Sequence, residues 1–264
     1  MRAQNFQPLL DGTATTSGSL PDNPDQPVIA AGGVVNAASF RPNAALAPGS
    51  YVSIFGSRLA REMSIAPSLP LPAQLAGTTA TIAGRALPLH FSSDGQVNAI
   101  LPYGIAENTT HQLIVRRATT LSTPEPVVIA TSGPALFSVD GSGSGQGHIY
   151  GVTEHGTLAL ADNARPARAG EVVVMYATGL GPVSPTPVAG EAAPSSPLAT
   201  VANPVVVTIQ ERPARVLFAG LAPGFAGLYQ LNIETPEGVR PEASALVVVR
   251  VGEQSSPPVT MAVR

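Results

Sequence analysis

The stretch that decides the fold reads PGSYVSIFGSRL at residues 48–59, and it has a counterpart in AGEVVVMYATGL at residues 169–180. A glycine, an apolar strand, an aromatic residue and a leucine recur in register. Further along, QVNAILP at residues 96–102 matches QLNIETP at residues 230–236, and each copy then closes with valine-rich runs. Because three landmarks return in the same order, the sequence predicts two homologous domains.

The segments around these landmarks predict an all-β fold. Short runs rich in valine and isoleucine alternate with turn residues, and the 26 glycines and 27 prolines leave few segments for a long helix. This alternation of short apolar runs with turn residues is typical of β-sandwiches, so we expect two tandem immunoglobulin-like sandwiches. The predicted strands cover residues 50–55, 78–83, 87–91, 96–100, 112–117 and 126–130 in the first copy, and 171–177, 204–209, 214–219, 228–233, 244–251 and 258–263 in the second.

The composition also predicts where the domains begin and end. Residues 1–30 are polar and rich in turn residues, so we expect a disordered tail or linker there. The first sandwich is predicted over 31–131 and the second over 132–264. The second opens with a hairpin formed by residues 147–152 and 157–160, and it carries an extra loop at 221–227.

Several residue types are absent, and this narrows the possible chemistry. The chain has no cysteine, and all 14 of its basic residues are arginine. Thiol nucleophiles, zinc–thiolate sites, disulfides and lysine Schiff bases are therefore excluded. With a net charge of -3 and no basic cluster larger than Arg116–Arg117, we expect no nucleic-acid partner.

The apolar runs are too short for a membrane span, so none is predicted. The N-terminus also lacks the apolar stretch of a signal peptide. We therefore expect either an intracellular protein or a fragment or mature form of a longer chain.

Four longer motifs carry a family resemblance: VVNAASF at 34–40, APGS at 47–50, YATGLGPVSP at 176–185 and FAGLAPGFAGLYQLN at 218–232. From about residue 31 to residue 264 the chain closely resembles the Solibacter-type uncharacterised C-terminal domain family, and each half resembles a TIG/IPT immunoglobulin-like module. The resemblance implies the C-terminal part of a secreted or surface-exposed multidomain protein, with upstream domains as partners. It implies an extracellular or cell-surface location and no particular activity.

The Gly-Ser run at 140–145 is the first candidate for a metal site. Asp140, Ser142 and Ser144 have the spacing of the first ligands of a calcium loop, but Gly151 stands where a bidentate glutamate is needed. We therefore expect a flexible surface loop without calcium.

Histidines offer the second candidate. His148 and His155 flank the predicted hairpin turn, with Glu154 beside the second, so folding could gather two imidazoles and a carboxylate. We favour variable hairpin residues over a metal site, and we expect His90 and His111 to face solvent. No local motif places a serine, histidine and acid as a triad, so no catalytic residue, metal or cofactor is predicted.

The repeated motif contributes two polar side chains and a proline per copy. Two residues apart on a strand, the amides point to one face, where they either meet a ligand or hydrogen-bond neighbouring backbone. Their recurrence favours a structural role, with each proline ending its strand. The repeat-defining residues are Gln96, Asn98 and Pro102 in the first copy, and Gln230, Asn232 and Pro236 in the second.

Exposed aromatic residues would be the clearest sign of a carbohydrate site. Phe225 and Tyr229 are the best candidates, because the 221–227 loop beside them exists only in the second copy. This loop could instead fill a sandwich end or the interdomain seam, which we favour, or dock an upstream domain.

The leading functional hypothesis is a non-catalytic spacer, display or adhesion module of a larger secreted protein, mostly monomeric. The alternative is a polysaccharide-binding module that uses the 221–229 loop. A secreted hydrolase is the least favoured hypothesis.

Overall fold

The computed structural model describes residues 23–153 and 155–264, and these residues form an all-β protein with two immunoglobulin-like sandwiches in tandem. The described part of the chain is free of helix, and a helix that could cross a membrane is accordingly not found in it. We call strands β1–β10 the N-terminal unit and strands β11–β22 the C-terminal unit.

The strands of the N-terminal unit are β1 (Val28–Asn36), β2 (Tyr51–Ser57), β3 (Ser64–Ile65), β4 (Thr78–Ile82), β5 (Arg85–Ala86), β6 (Leu89–Ser92), β7 (Gln96–Ile100), β8 (Thr109–Arg117), β9 (Thr120–Leu121) and β10 (Glu125–Ile129). Those of the C-terminal unit are β11 (Ala135–Leu136), β12 (Ile149–Val152), β13 (Leu158–Leu160), β14 (Val172–Thr178), β15 (Val183–Ser184), β16 (Thr200–Val201), β17 (Val205–Ile209), β18 (Arg212–Leu221), β19 (Tyr229–Glu234), β20 (Glu242–Val251), β21 (Gln254–Ser255) and β22 (Val259–Val263).

The N-terminal unit packs two sheets face to face. One has the order β1-β2-β7-β6-β3 and the other β10-β8-β4-β5, with β9 paired to β8. Alternate residues of each strand point inward, so β7 buries Val97 and Ala99 completely. The resulting core runs from Ile29 to Ile129. Each large apolar side chain in it contributes about 1.5–3 kcal/mol.

The C-terminal unit has the same two layers, but one strand joins them. The start of β18 pairs with β17 up to Ala214, and the rest pairs with β19 from Arg215 onward, so the strand passes from one layer to the other between these two residues. A bulge between Val216 and Phe218 then interrupts the β18–β19 pairing. The core of this unit extends from Leu136 to Val263.

The duplication seen in the sequence is also present in the strand register. β2 pairs with β7 so that Phe55 lies opposite Gln96, and β14 pairs with β19 so that Tyr176 lies opposite Gln230. The strands end at Ile100 and Glu234, two residues before Pro102 and Pro236, as expected. The predicted hairpin is also confirmed, because β12 pairs with β13.

The tail prediction is wrong at its C-terminal end. β1 begins at Val28, within the segment expected to be disordered, and pairs with β2. The carboxylate of Asp25 also forms an ion pair with Arg117 at 3.1 Å. The first 22 residues lie outside the described residues, so the rest of that prediction concerns residues on which the structure gives no information. The division of the chain at 131/132 stays a prediction, and the two cores lie on either side of it.

Side chains of both units meet at a junction between the two cores. The Thr178 hydroxyl accepts a hydrogen bond from the Tyr51 amide at 2.8 Å, and the Asn36 side-chain amide donates to the Gly133 carbonyl at 2.9 Å. Tyr103, from the loop after β7, packs against the core of the C-terminal unit. The junction is therefore held by both hydrogen bonds and apolar packing.

Candidate functional site

Polar and aromatic side chains lie on the repeated strand pairs β2–β7 and β14–β19 and on or directly before the strands next to them, β6, β12 and β18. Every one of them is partly exposed. We call them the N-terminal strip (Tyr51, Phe55, His90, Phe91, Gln96 and Asn98) and the C-terminal strip (His148, Tyr150, Tyr176, Phe218, Gln230 and Asn232).

Hydrogen bonds connect the polar members of the N-terminal strip. The Gln96 side-chain amide donates to the Asn98 Oδ1 at 2.8 Å, and the Ser53 hydroxyl donates to the same oxygen at 3.1 Å. Asn98 also hydrogen-bonds the Tyr51 hydroxyl, which in turn is hydrogen-bonded to His90 Nδ1. Burial raises the pKa of Tyr51 to about 12, and the bond from Asn98 acts in the opposite direction.

The C-terminal strip repeats this arrangement. The Gln230 side-chain amide donates to the Asn232 Oδ1 at 2.8 Å, as in the first unit. A second tyrosine–histidine pair lies nearby, because His148 Nδ1 and the Tyr150 hydroxyl are 2.7 Å apart. The Tyr150 ring meets the Tyr176 ring edge-on, with centroids 6.1 Å apart.

The amides are flanked by aromatic residues at equivalent places. Phe55 and Tyr176 lie opposite the glutamines, as described above. Phe91 lies opposite Asn98, and Phe218 lies opposite Asn232. The amides therefore bond to each other rather than to neighbouring backbone, which the sequence analysis did not foresee. The structural role expected for these amides stays a prediction.

A cleft of about 440 Å³ lies at the junction between the two units. Tyr51 and His90 of the N-terminal strip form one side of the cleft, and Phe137 lies on the other. Phe137 joins the C-terminal strip, because its amide donates to the Tyr176 carbonyl and its carbonyl accepts from the His148 amide. The walls are largely apolar, and they are completed by Leu69, Leu71 and residues 225–228.

The 221–227 loop lies at this junction. Phe225 is 56% exposed beside the cleft, as expected. Gly227 packs against Ile100 of the N-terminal unit, so closely that an added Cβ would lie 2.3 Å from the Ile100 Cδ1. The loop thus occupies the interdomain seam, which was the favoured prediction, while it leaves one ring in solvent.

The prediction that Tyr229 is exposed is wrong. Tyr229 begins β19 with its side chain on the core face, opposite Ala177 and Leu221, and it has no exposed surface. Its hydroxyl donates to the Gly181 carbonyl at 2.6 Å and is also hydrogen-bonded to Tyr103. Burial and the neighbouring Tyr103 raise the pKa of Tyr229 well above its usual range. Tyr229 therefore belongs to the core and the junction.

Among residues 23–153 and 155–264, no three His, Cys, Asp or Glu side chains lie together in a group that could hold a metal ion. His155 is exposed in the hairpin turn, and Glu154 lies outside the described residues. His90 was expected to face solvent, but it is half-buried and bonded to Tyr51. In the 140–145 loop the Ser142 amide and hydroxyl donate to Asp140, which lowers the pKa of that carboxyl.

A second, polar cleft of about 640 Å³ lies at the far end of the C-terminal unit, between the hairpin and residues 165–171. Arg165 donates to the Glu171 carboxylate at 2.7 Å and to the Val152 carbonyl at 3.0 Å. Arg168 and Arg264 also line the cleft. The ion pair covers Gly151, where an added Cβ would collide with both side chains.

Comparison with known proteins gives neighbours in structure only. No protein-family model matches the chain, and no curated protein matches it. Solved structures that resemble it include a surface glycan-binding protein from Prevotella bryantii, at 12% identity and a TM-score of 0.27, with 89% of this chain and 41% of that one covered. Another is SGBP-B of the mixed-linkage glucan utilization locus of Bacteroides ovatus, in complex with a mixed-linkage heptasaccharide.

The Bacteroides ovatus protein is 10% identical with a TM-score of 0.36, and the match covers 91% of this chain and 45% of that chain. Domains 5–6 of the S-layer protein SbsC match at 10% identity and a TM-score of 0.26, over 90% of this chain and 98% of theirs. The chain thus spans less than half the length of either glycan-binding protein. The class that fold and strand register define is a tandem immunoglobulin-like β-sandwich protein.

Proposed function

We propose that this chain is a non-catalytic spacer and display module of a larger secreted or surface protein. The observation that supports this proposal most directly is the built junction between the two units. Tyr103 packs against the core of the C-terminal unit, and the Thr178 hydroxyl accepts a hydrogen bond from the Tyr51 backbone amide. A spacer needs its ends held in one orientation, and buried contacts of this kind oppose hinge motion.

The experiment is a distance measurement between spin labels in the two units. Because the chain has no native cysteine, Leu121→Cys and Leu246→Cys provide two labelling positions, both about half exposed. We expect a narrow distribution of distances, which broadens when Tyr103→Ala removes the ring from the junction. A broad distribution in the otherwise unaltered chain would contradict the spacer function. Hydrolysis that disappears with a single Ser, His or acidic substitution would contradict the non-catalytic assignment.

A second candidate function, polysaccharide binding at the 221–229 loop, is favoured by the exposed ring of Phe225 beside the junction cleft. Sugar rings stack on exposed aromatic faces, and Tyr229 cannot contribute because it is buried. The test is a pull-down on insoluble glucan, chitin and xylan with Phe225→Ala. Leu217→Ala, which alters an exposed side chain away from the cleft, is the control. Unchanged binding by the phenylalanine variant would remove this site.

A further inference from the structure

We infer that the N-terminal strip, the junction cleft and the C-terminal strip form one continuous track that binds an extended, neutral polysaccharide chain. This inference rests on the second candidate function and moves the contact surface from one loop to two sheet faces. It is independent of the spacer function.

The first argument is the chemistry of the strips. A pyranose ring presents apolar C–H faces and hydroxyl edges, so its binding site needs flat aromatic surface next to donors and acceptors. In each strip a glutamine and an asparagine lie between two aromatic residues on adjacent strands. The glutamine–asparagine bond uses one amide hydrogen of the glutamine and does not use its carbonyl oxygen. This bond therefore fixes the amides in advance while acceptor and donor capacity remains.

The second argument is that the strips face outward. The cores are complete without them, because the residues between them in sequence, such as Val97 and Leu231, are the ones that are fully buried. The aromatic rings of the strips are only partly buried and keep some of their surface in water. A ligand that covers these rings would remove them from water.

The third argument identifies the ligand as a repeating, uncharged polymer. The glutamine, the asparagine and the two aromatic residues beside them recur at equivalent register positions in both units, whereas the tyrosine–histidine pairs do not. None of the twelve strip residues is Asp, Glu, Lys or Arg. Arg215 and Glu234, the charged residues next to Asn232, form an ion pair at 3.5 Å, so this end of the strip carries no net charge. Tyr51 and Phe55 are four residues apart on an extended strand, about 13 Å, so each strip is longer than a single sugar.

The fourth argument is continuity. Tyr51 and His90 belong to the N-terminal strip and also line the cleft, while Phe137 lies in the cleft and pairs with Tyr176 of the C-terminal strip. Phe225 also lines the cleft. A polysaccharide that occupies both strips binds more tightly than one that occupies a single strip. The reason is that the second contact forms within a complex that the first contact already holds together.

The experiment measures retardation of the whole chain in native gels that contain mixed-linkage β-glucan, xylan, galactomannan or, as the charged comparison, polygalacturonate. We expect at least one neutral polymer to retard the protein and polygalacturonate not to. Phe91→Ala and Phe218→Ala, one in each strip, should each weaken binding by roughly 10-fold or more, because each leaves a single strip. Gln230→Glu tests the same face without loss of a ring, and circular dichroism verifies that each variant is folded.

Leu246→Ala, which alters an exposed residue on the other sheet of the C-terminal unit, should bind like the unaltered chain. Retardation by none of the neutral polymers overturns the inference, and so does retardation by polygalacturonate alone. Equal binding by the folded strip variants overturns it as well. If Phe225→Ala abolishes binding while both strip variants retain it, the loop site stands and the track does not. The opposite result removes the loop site and keeps the track.

Discussion

A single residue shows how position on a strand decides what a side chain does. Tyr229 and Gln230 are neighbours, yet one is completely buried and the other lies on the outer face. Successive side chains of a strand point to opposite sides, so a shift of one residue exchanges core and surface. The Tyr229 ring, which the sequence suggested as a ligand contact, therefore packs at the junction. The Gln230 side chain next to it lies on the outer face.

The tyrosines at the junction make the protein sensitive to alkaline pH. Burial raises the pKa of both Tyr51 and Tyr103 from 10.0 to about 12. The unfolded chain then loses these protons at lower pH than the folded chain, so the contribution of the two tyrosines to the free energy of unfolding is constant below pH 10 and is lost between pH 10 and 12. The loss is on the order of 2 kcal/mol per tyrosine.

Urea denaturation between neutral pH and pH 12 measures this effect, with phenolate formation followed by ultraviolet absorbance. Tyr103→Phe should make the decline shallower, because a phenylalanine has no proton to lose. A decline that begins well below pH 10, or one that Tyr103→Phe leaves unchanged, would contradict the explanation.

At the scale of elements, the first strand depends on one glycine. β1 crosses β2 at Gly56, where an added Cβ would lie 2.0 Å from the Val28 carbonyl oxygen. No side chain fits there without separation of the strands. The sequence showed an apolar run near 34–40 but gave no sign of this close approach, so β1 was not among the predicted strands.

Gly56→Ala should therefore lower stability by about 1–3 kcal/mol and reduce the amide protection of Val28 and Ile29. Gly95→Ala is the matched control, since its nearest neighbour would be 3.8 Å from the new Cβ. We expect that control to change stability by less than about 0.5 kcal/mol. Hydrogen exchange followed by mass spectrometry compares amide protection in the Gly56→Ala and Gly95→Ala variants. Unchanged protection of residues 28–29 in Gly56→Ala would refute the prediction.

At the scale of the whole molecule, the junction determines whether two sandwiches behave as one body. Gly227 has a φ of +67° and leaves no room for a Cβ against Ile100. Gly224, in the same loop, has a φ of +84° and open space around it. A comparison of alanine substitutions at these two glycines therefore distinguishes the effect of a clash at the junction from the effect of backbone strain.

We expect Gly227→Ala to weaken the junction and divide a single calorimetric unfolding transition into two. Gly224→Ala should lower stability through backbone strain, on the order of 1 kcal/mol, and keep one transition. Two transitions in the unaltered chain would show that the units unfold independently, contrary to this prediction.

The sequence alone predicted the duplicated all-β architecture and most of the long strands, because period-two alternation, turn residues and repeats are local signals. It also predicted the exposure of Phe225 and the place of the 221–227 loop. It missed the two-residue strands β3, β5, β9, β11, β15, β16 and β21, because two residues carry no pattern. It also missed the passage of β18 between the layers, which depends on strand partners distant in sequence.

By itself the sequence determined that two sandwiches form and that the residues for cysteine and lysine chemistry are missing. Only the tertiary structure decided which face of each strand looks outward, that the glutamine and asparagine bond to each other, and that Tyr51, His90 and Phe137 line one cleft. The physical reason is that burial and register are set by partners distant in sequence. A repeated motif predicts that a feature is used twice, whereas the packing of the two units decides which residues of each copy lie at the junction.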